Sequence, residues 1–148
     1  MSIFIVRGPE GSGPLQHAAA PLPAAVMTAL VRRALDSGTS IAVRNCRCEQ
    51  ELIEALCAAD HCAGEVTLLA PGGCVSSKRL QRLLAELHNT YIEVHDDDAS
   101  ARQPLLPANR TRLAVAQGFR AQSYVLALEI ALEHLCCNEA GNHVHVGT

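Results

Sequence analysis

The sequence predicts an α/β fold in which one parallel sheet carries helices on both faces. Three observations lead there. Short runs rich in Val, Ile and Leu alternate along the chain with Ala- and Leu-rich segments of helical period, the pattern of a layered α/β sheet and not of a bundle. Aromatic residues make up 3% of the chain and Trp is absent, so the core must be assembled from Ala, Val, Leu and Ile. At 148 residues the chain can bury such a core as a single domain, expected over residues 1–138 with a polar tail over 139–148.

The first strand is Ser2 to Arg7, carrying Ile3-Phe4-Ile5-Val6 and ended by Gly8-Pro9. From Glu10 to Pro23, Gly, Pro and Ala leave no periodic pattern, which makes a loop at the strand's C-terminal end, placed to serve as a lid. Pro23 suits a first helical turn. The helix runs to Asp36 with Val26, Leu30, Val31 and Leu35 on one stripe, and Gly38 caps it. Ser40 to Arg44 is the second strand and Asn45-Cys46-Arg47-Cys48 its loop. Glu49 to Ala59 is the second helix, turning Leu52, Ile53 and Leu56 inward.

Val66 to Leu69 is the third strand, followed by Ala70-Pro71-Gly72-Gly73-Cys74, where two glycines let the backbone approach a ligand or another chain. A third helix begins near Ser76, a good N-cap, and carries Leu80, Leu83, Leu84 and Leu87. Tyr91-Ile92-Glu93-Val94 is the fourth strand and Leu113 to Ala116 the fifth, with a loop from Ala99 to Arg110 between them. The last helix starts near Ala121 and faces inward with Leu126, Ile130, Ala131 and Leu135. Five parallel strands so connected suit the flavodoxin-like order 2-1-3-4-5, a three-layer sandwich.

A net charge of −3 gives no electrostatic case for nucleic acid. No run approaches the roughly 18 apolar residues of a membrane span, and Met1-Ser2-Ile3-Phe4-Ile5-Val6-Arg7 lacks the regions of a signal peptide. Seven cysteines, an odd number without export signals, read as reduced thiols in a cytoplasm. Cys57 and Cys62 read as small packing residues of the second helix.

Ligands of open parallel sheets bind beyond the strands' C-terminal ends, near the point where strand order reverses. His95 closes the fourth strand there, and Asp96-Asp97-Asp98 follow it. Histidine titrates near neutrality, and three adjacent carboxylates would hold it protonated, as a general acid requires. The same edge receives the loops bearing Cys46, Cys48 and Cys74. Thiolate, imidazole and carboxylate together suit Zn²⁺ or a cysteine nucleophile. Cys46-Arg47-Cys48 is not the usual Cys-x-x-Cys spacing, however, and Cys136-Cys137 with His143 and His145 reads as a helix end and tail. No metal or cofactor is expected.

Several segments, in order and at their spacings, resemble the type II 3-dehydroquinate dehydratases. They are Gly8-Pro9, Glu51-Leu52-Ile53, Pro71-Gly72-Gly73, Ile92-Glu93-Val94-His95 with Arg102 beyond, and Gly118-Phe119 followed by Tyr124-Val125-Leu126-Ala127-Leu128-Glu129. The resemblance spans essentially the whole chain. It implies the flavodoxin-like fold, a trimer-based homododecamer, and water elimination through an enolate. In that chemistry a lid tyrosine, helped by an arginine, takes a proton. A strand-three asparagine holds a stabilising water, and the strand-four histidine protonates the leaving hydroxyl.

On these positions His95 matches the general acid and Arg102 a substrate-side arginine. The rest departs. There is neither Tyr nor Arg between Glu10 and Met27, Ala70 stands for the asparagine, Ser76 for a histidine, Leu83 for an aspartate and Leu106 for an arginine. Asp97 and Asp98 replace residues that hold the substrate carboxylate, setting like charge against an anion. Losing one acid or base costs about 10²–10⁴ in rate, and losing one enolate-stabilising contact about 10²–10³.

The expectation is therefore a divergent relative with ordinary dehydration lost or changed. Its small polar ligand would meet His95, with Arg102, Gly72, Gly73, Cys74, Asp97, Asp98 and Asn45 around it. Two other readings stay open: Cys/His/Asp chemistry in the same cleft, and a genuine 3-dehydroquinate dehydratase.

Overall fold

The computed structural model describes residues 2–11, 13–62, 65–97 and 104–146, with side chains as far as residue 136. Strands β1 (Ser2–Arg7), β2 (Ser40–Asn45), β3 (Val66–Ala70), β4 (Tyr91–Val94) and β5 (Arg112–Ala116) form one sheet in the order β2-β1-β3-β4-β5. Each neighbouring pair is parallel, as expected for the flavodoxin-like order. The helices are α1 (Ala24–Asp36), α2 (Glu49–Asp60), α3 (Lys78–Glu86) and α4 (Gln122–Val146).

Successive strand residues point to opposite faces, so the fully buried central strand β3 feeds two cores. Leu68 joins Ile3, Ile5, Ile92 and Val94 under α1 and α4, where Leu30, Tyr124 and Leu128 meet them. Leu69 joins Val6 and Tyr91 under α2 and α3, against Leu52, Leu56, Leu80 and Leu84. Few aromatics are needed because aliphatic side chains fill both layers.

Several local expectations are corrected. In α1 the buried line is Val26, Leu30 and Ala34. Val31 and Leu35 lie one residue further round, and Leu35 is 69% exposed. In α4 the inner stripe is Tyr124, Ala127, Leu128, Ala131, Leu132 and Leu135. Leu126 sits two residues from both Tyr124 and Leu128, about half a turn away, and is 39% exposed. The N-cap of α3 is Ser77, not Ser76, and its hydroxyl accepts from the Leu80 amide at 3.1 Å. The α4 backbone continues to Val146, through residues expected as tail. The cysteines trade places. Cys57 and Cys62 are exposed, because Leu52, Ile53, Ala55, Leu56 and Ala59 occupy the inner face of α2.

Candidate functional site

A cavity of about 280 Å³ opens at the C-terminal edge of the sheet. It lies where strand order reverses between β1 and β3, the position at which doubly wound sheets bind ligands. Arg7 and Gly8 end β1, Ala70 and Gly72 follow from β3, and His95 and Asp96 come from beyond β4. The floor is tight. The Gly8 amide donates to Ala70 O at 2.7 Å. A Cβ on Gly8 would lie 2.3 Å from Pro71 O, and one on Gly72 (φ +57°) would lie 2.6 Å from Pro9 O. Only glycine fits at either position.

His95 is 3% exposed and faces a different partner from the one its neighbours suggest. Its Nε2 lies 2.5 Å from Glu93 Oε2, inside the fold. Glu93 and His95 are two residues apart on an extended segment, so both side chains take the same face. Glu93 is fully buried and also accepts from the Leu106 amide at 2.9 Å and from Arg112 Nη1 at 3.1 Å. Burial alone would raise the Glu93 carboxyl, but the bonds from His95, Leu106 and Arg112 outweigh it and hold the group below its ordinary range. An ionised Glu93 fixes the ring with Nε2–H as donor. Nδ1 is then left buried with no partner, on a residue that lines the cavity.

Arg7, also buried, organises the opposite wall. Its Nε donates to the Tyr124 hydroxyl at 3.0 Å, and its guanidinium lies 5.5 Å from the centre of that ring. Nη1 donates to Ala20 O at 2.6 Å and Asn45 Oδ1 at 2.9 Å, and Nη2 pairs with Asp96 at 3.3 Å. The arginine thereby ties the loop after β1 to the cleft. That loop folds back through a Glu10–His17 bridge and sets Glu10 and Ala19 on the cavity. Burial, reinforced by Asp96, pushes the Tyr124 phenol well above its ordinary value in spite of Arg7.

Of the residues expected at the site, His95, Gly72 and Gly73 line the cavity. Asn45 reaches it through Arg7. Cys74 instead belongs to the core under α2 and α3, together with Cys46, and its Sγ accepts from Gln16 Nε2 at 3.9 Å. Burial pushes both thiols up to about 11, so neither is a ready nucleophile. Asp97 is described but does not line the cavity, and Asp96 takes that place. Arg102 and Asp98 lie outside the described residues, as do the side chains of Cys137, His143 and His145. Among the described residues no grouping of His, Cys, Asp and Glu could hold a metal ion. Three participants were missed: Glu93, Arg7 and Tyr124. A carboxylate at an inward strand position was the one legible signal, since a buried charge requires a partner.

Fold and cavity together define a doubly wound α/β protein with a cavity at the switch point of its sheet. No protein-family model matches the sequence. A 3-dehydroquinate dehydratase of Corynebacterium pseudotuberculosis (strain C231) is 32% identical over 146 residues, spanning 93% of this chain and 98% of that protein. The chain belongs to the 3-dehydroquinate dehydratase family. Solved type II dehydroquinases share its fold: that of Propionibacterium acnes at TM-score 0.65 and that of Butyrivibrio crossotus DSM 2876 at 0.66, each 16% identical. They cover 89% and 88% of this chain, and 98% and 97% of their own. A 3-dehydroquinate dehydratase-like protein from Bifidobacterium longum matches at TM-score 0.55, also at 16% identity, over 92% of this chain and 98% of its own. Among the described residues no helix is long and apolar enough to cross a membrane.

Proposed function

We propose that this chain is a divergent 3-dehydroquinate dehydratase-like protein whose cleft around His95 binds a small polar molecule, with ordinary dehydration lost or changed. The tyrosines carry the proposal. The sequence holds two, Tyr91 and Tyr124. Both are fully buried, and burial pushes both phenols up. The enolate chemistry implied by the resemblance begins with a tyrosine on the loop after β1, and that loop has none. A second identical chain has none to lend.

The cleft nevertheless keeps a lining histidine, His95, whose Nδ1 has no partner and whose Nε2 is held by Glu93. Cysteine chemistry is less well supported, because Cys46 and Cys74 are buried. Genuine dehydratase activity is the second reading, favoured by the near full-length identity to the Corynebacterium protein. We propose further a cytoplasmic, trimer-based homododecamer. Unpaired thiols suit that compartment, and exposed Val31, Leu35, Leu113, Phe119 and Leu126 suit contacts between copies.

Turnover of purified protein on 3-dehydroquinate tests the main reading. No dehydration above background is expected, and a rate in the usual enzyme range of about 1–10³ s⁻¹ would establish the second reading instead.

A further inference from the structure

We propose that the His95 cavity selects hydroxylated ligands that carry no carboxylate, because the charged side chains it leaves open among the described residues are carboxylates. This rests on the cleft being a working site. These side chains are the carboxylates of Asp96 and Glu10, beside His95, whose buried Nδ1 has no partner. With Nε2 held by Glu93, Nδ1 is the ring nitrogen left without a partner. The Asp96 side chain is 42% exposed and the Glu10 side chain 58%, so both carboxylates remain open to a ligand.

Several groups that could grip an anion are already engaged. Among the described residues Arg7 is the cation that lines the cavity, and each of its three nitrogens has a partner: Tyr124, Ala20 with Asn45, and Asp96. Its charge is thus offset before any ligand arrives. The amides of Gly8 and Gly73 donate to Ala70 O and Pro9 O. A carboxylate entering here would meet two like charges, whereas hydroxyl groups could donate to the exposed oxygens of Asp96 and Glu10.

Three probes separate the outcomes in calorimetric titrations of the full chain: 3-dehydroquinate, its methyl ester, and the neutral cyclitol myo-inositol. The ester presents the same ring and hydroxyls without the charge. The expected result is that the ester binds at least tenfold more tightly than the acid. Glu10→Gln and Asp96→Asn should narrow that gap from the acid's side, and His95→Gln should weaken the ester. Glu10 is exposed, so its variant keeps the test valid if Asp96→Asn disturbs folding. Equal affinity for acid and ester, or tighter binding of the acid, overturns the inference and leaves the site itself standing. If none of the three probes binds, the working-site reading falls and this inference falls with it.

Discussion

The His95 ring gives Nε2–H to Glu93 at 2.5 Å, and Glu93 in turn accepts from Arg112 and the Leu106 amide. Those bonds keep the Glu93 carboxyl below the ordinary value of 4.5. The unfolded chain therefore takes up this proton first as pH falls. The stabilisation is complete above about 4.5 and is lost as pH drops through the lower folded value, so stability rises with pH across that window. Glu93→Gln should be less stable than wild type at pH 7 and approach it toward pH 3, measured as urea unfolding free energies along the series. Parallel curves would mean that Glu93 is not the group titrating. Arg112→Met leaves Glu93 Oε1 without its donor. With Arg112 18% exposed, the expected loss is about 2–3 kcal/mol, below the roughly 3–5 of a fully buried pair.

Elements meet the cleft through their ends. Ser77 caps α3 by accepting from Leu80 and also donates to Glu49 at the start of α2, joining two helices on one face. Ser77→Ala should cost about 1 kcal/mol from the cap and more from the lost tie to Glu49, read as a lower urea midpoint at constant slope. The turn after β3 is less forgiving. Gly72 has φ +57° and its would-be Cβ sits 2.6 Å from Pro9 O, a backbone atom that cannot swing away. Gly72→Ala should exceed the roughly 1 kcal/mol that such a replacement gains where the backbone allows it, with the opposite sign. Because Gly8 and Gly72 line the cavity, it should also weaken ligand binding. Intact binding at wild-type stability would show that the turn relaxes freely.

For the whole molecule, exposed apolar side chains on α1 and α4 and in the turn after β5 mark surfaces that water covers poorly in a single copy. The proposed trimer-based dodecamer would cover them. Sedimentation should give a mass near twelve chains, and Leu35→Asp or Phe119→Asp should lower it. A monomer mass for the unaltered protein would overturn the assembly.

What the sequence by itself determined is the layered sheet, its order and the position of His95 at its edge. Those depend on periodicity and apolarity, which each segment carries within itself. Segment ends slipped by a residue, and Leu126, Val31 and Leu35 were put inside, because a stripe read from sequence does not say which side meets the sheet. Only the tertiary structure decided which polar groups share the cleft. Arg7 meets Tyr124 across 117 residues of chain and Asp96 across 89. Even the Glu93–His95 pair, two residues apart, was hidden behind the more conspicuous aspartates. Adjacent residues on an extended chain face opposite ways, so His95 turned toward the second residue before it rather than the one after it. Hydrogen-bond partners are chosen by proximity in space, and burial decides which of them must be satisfied.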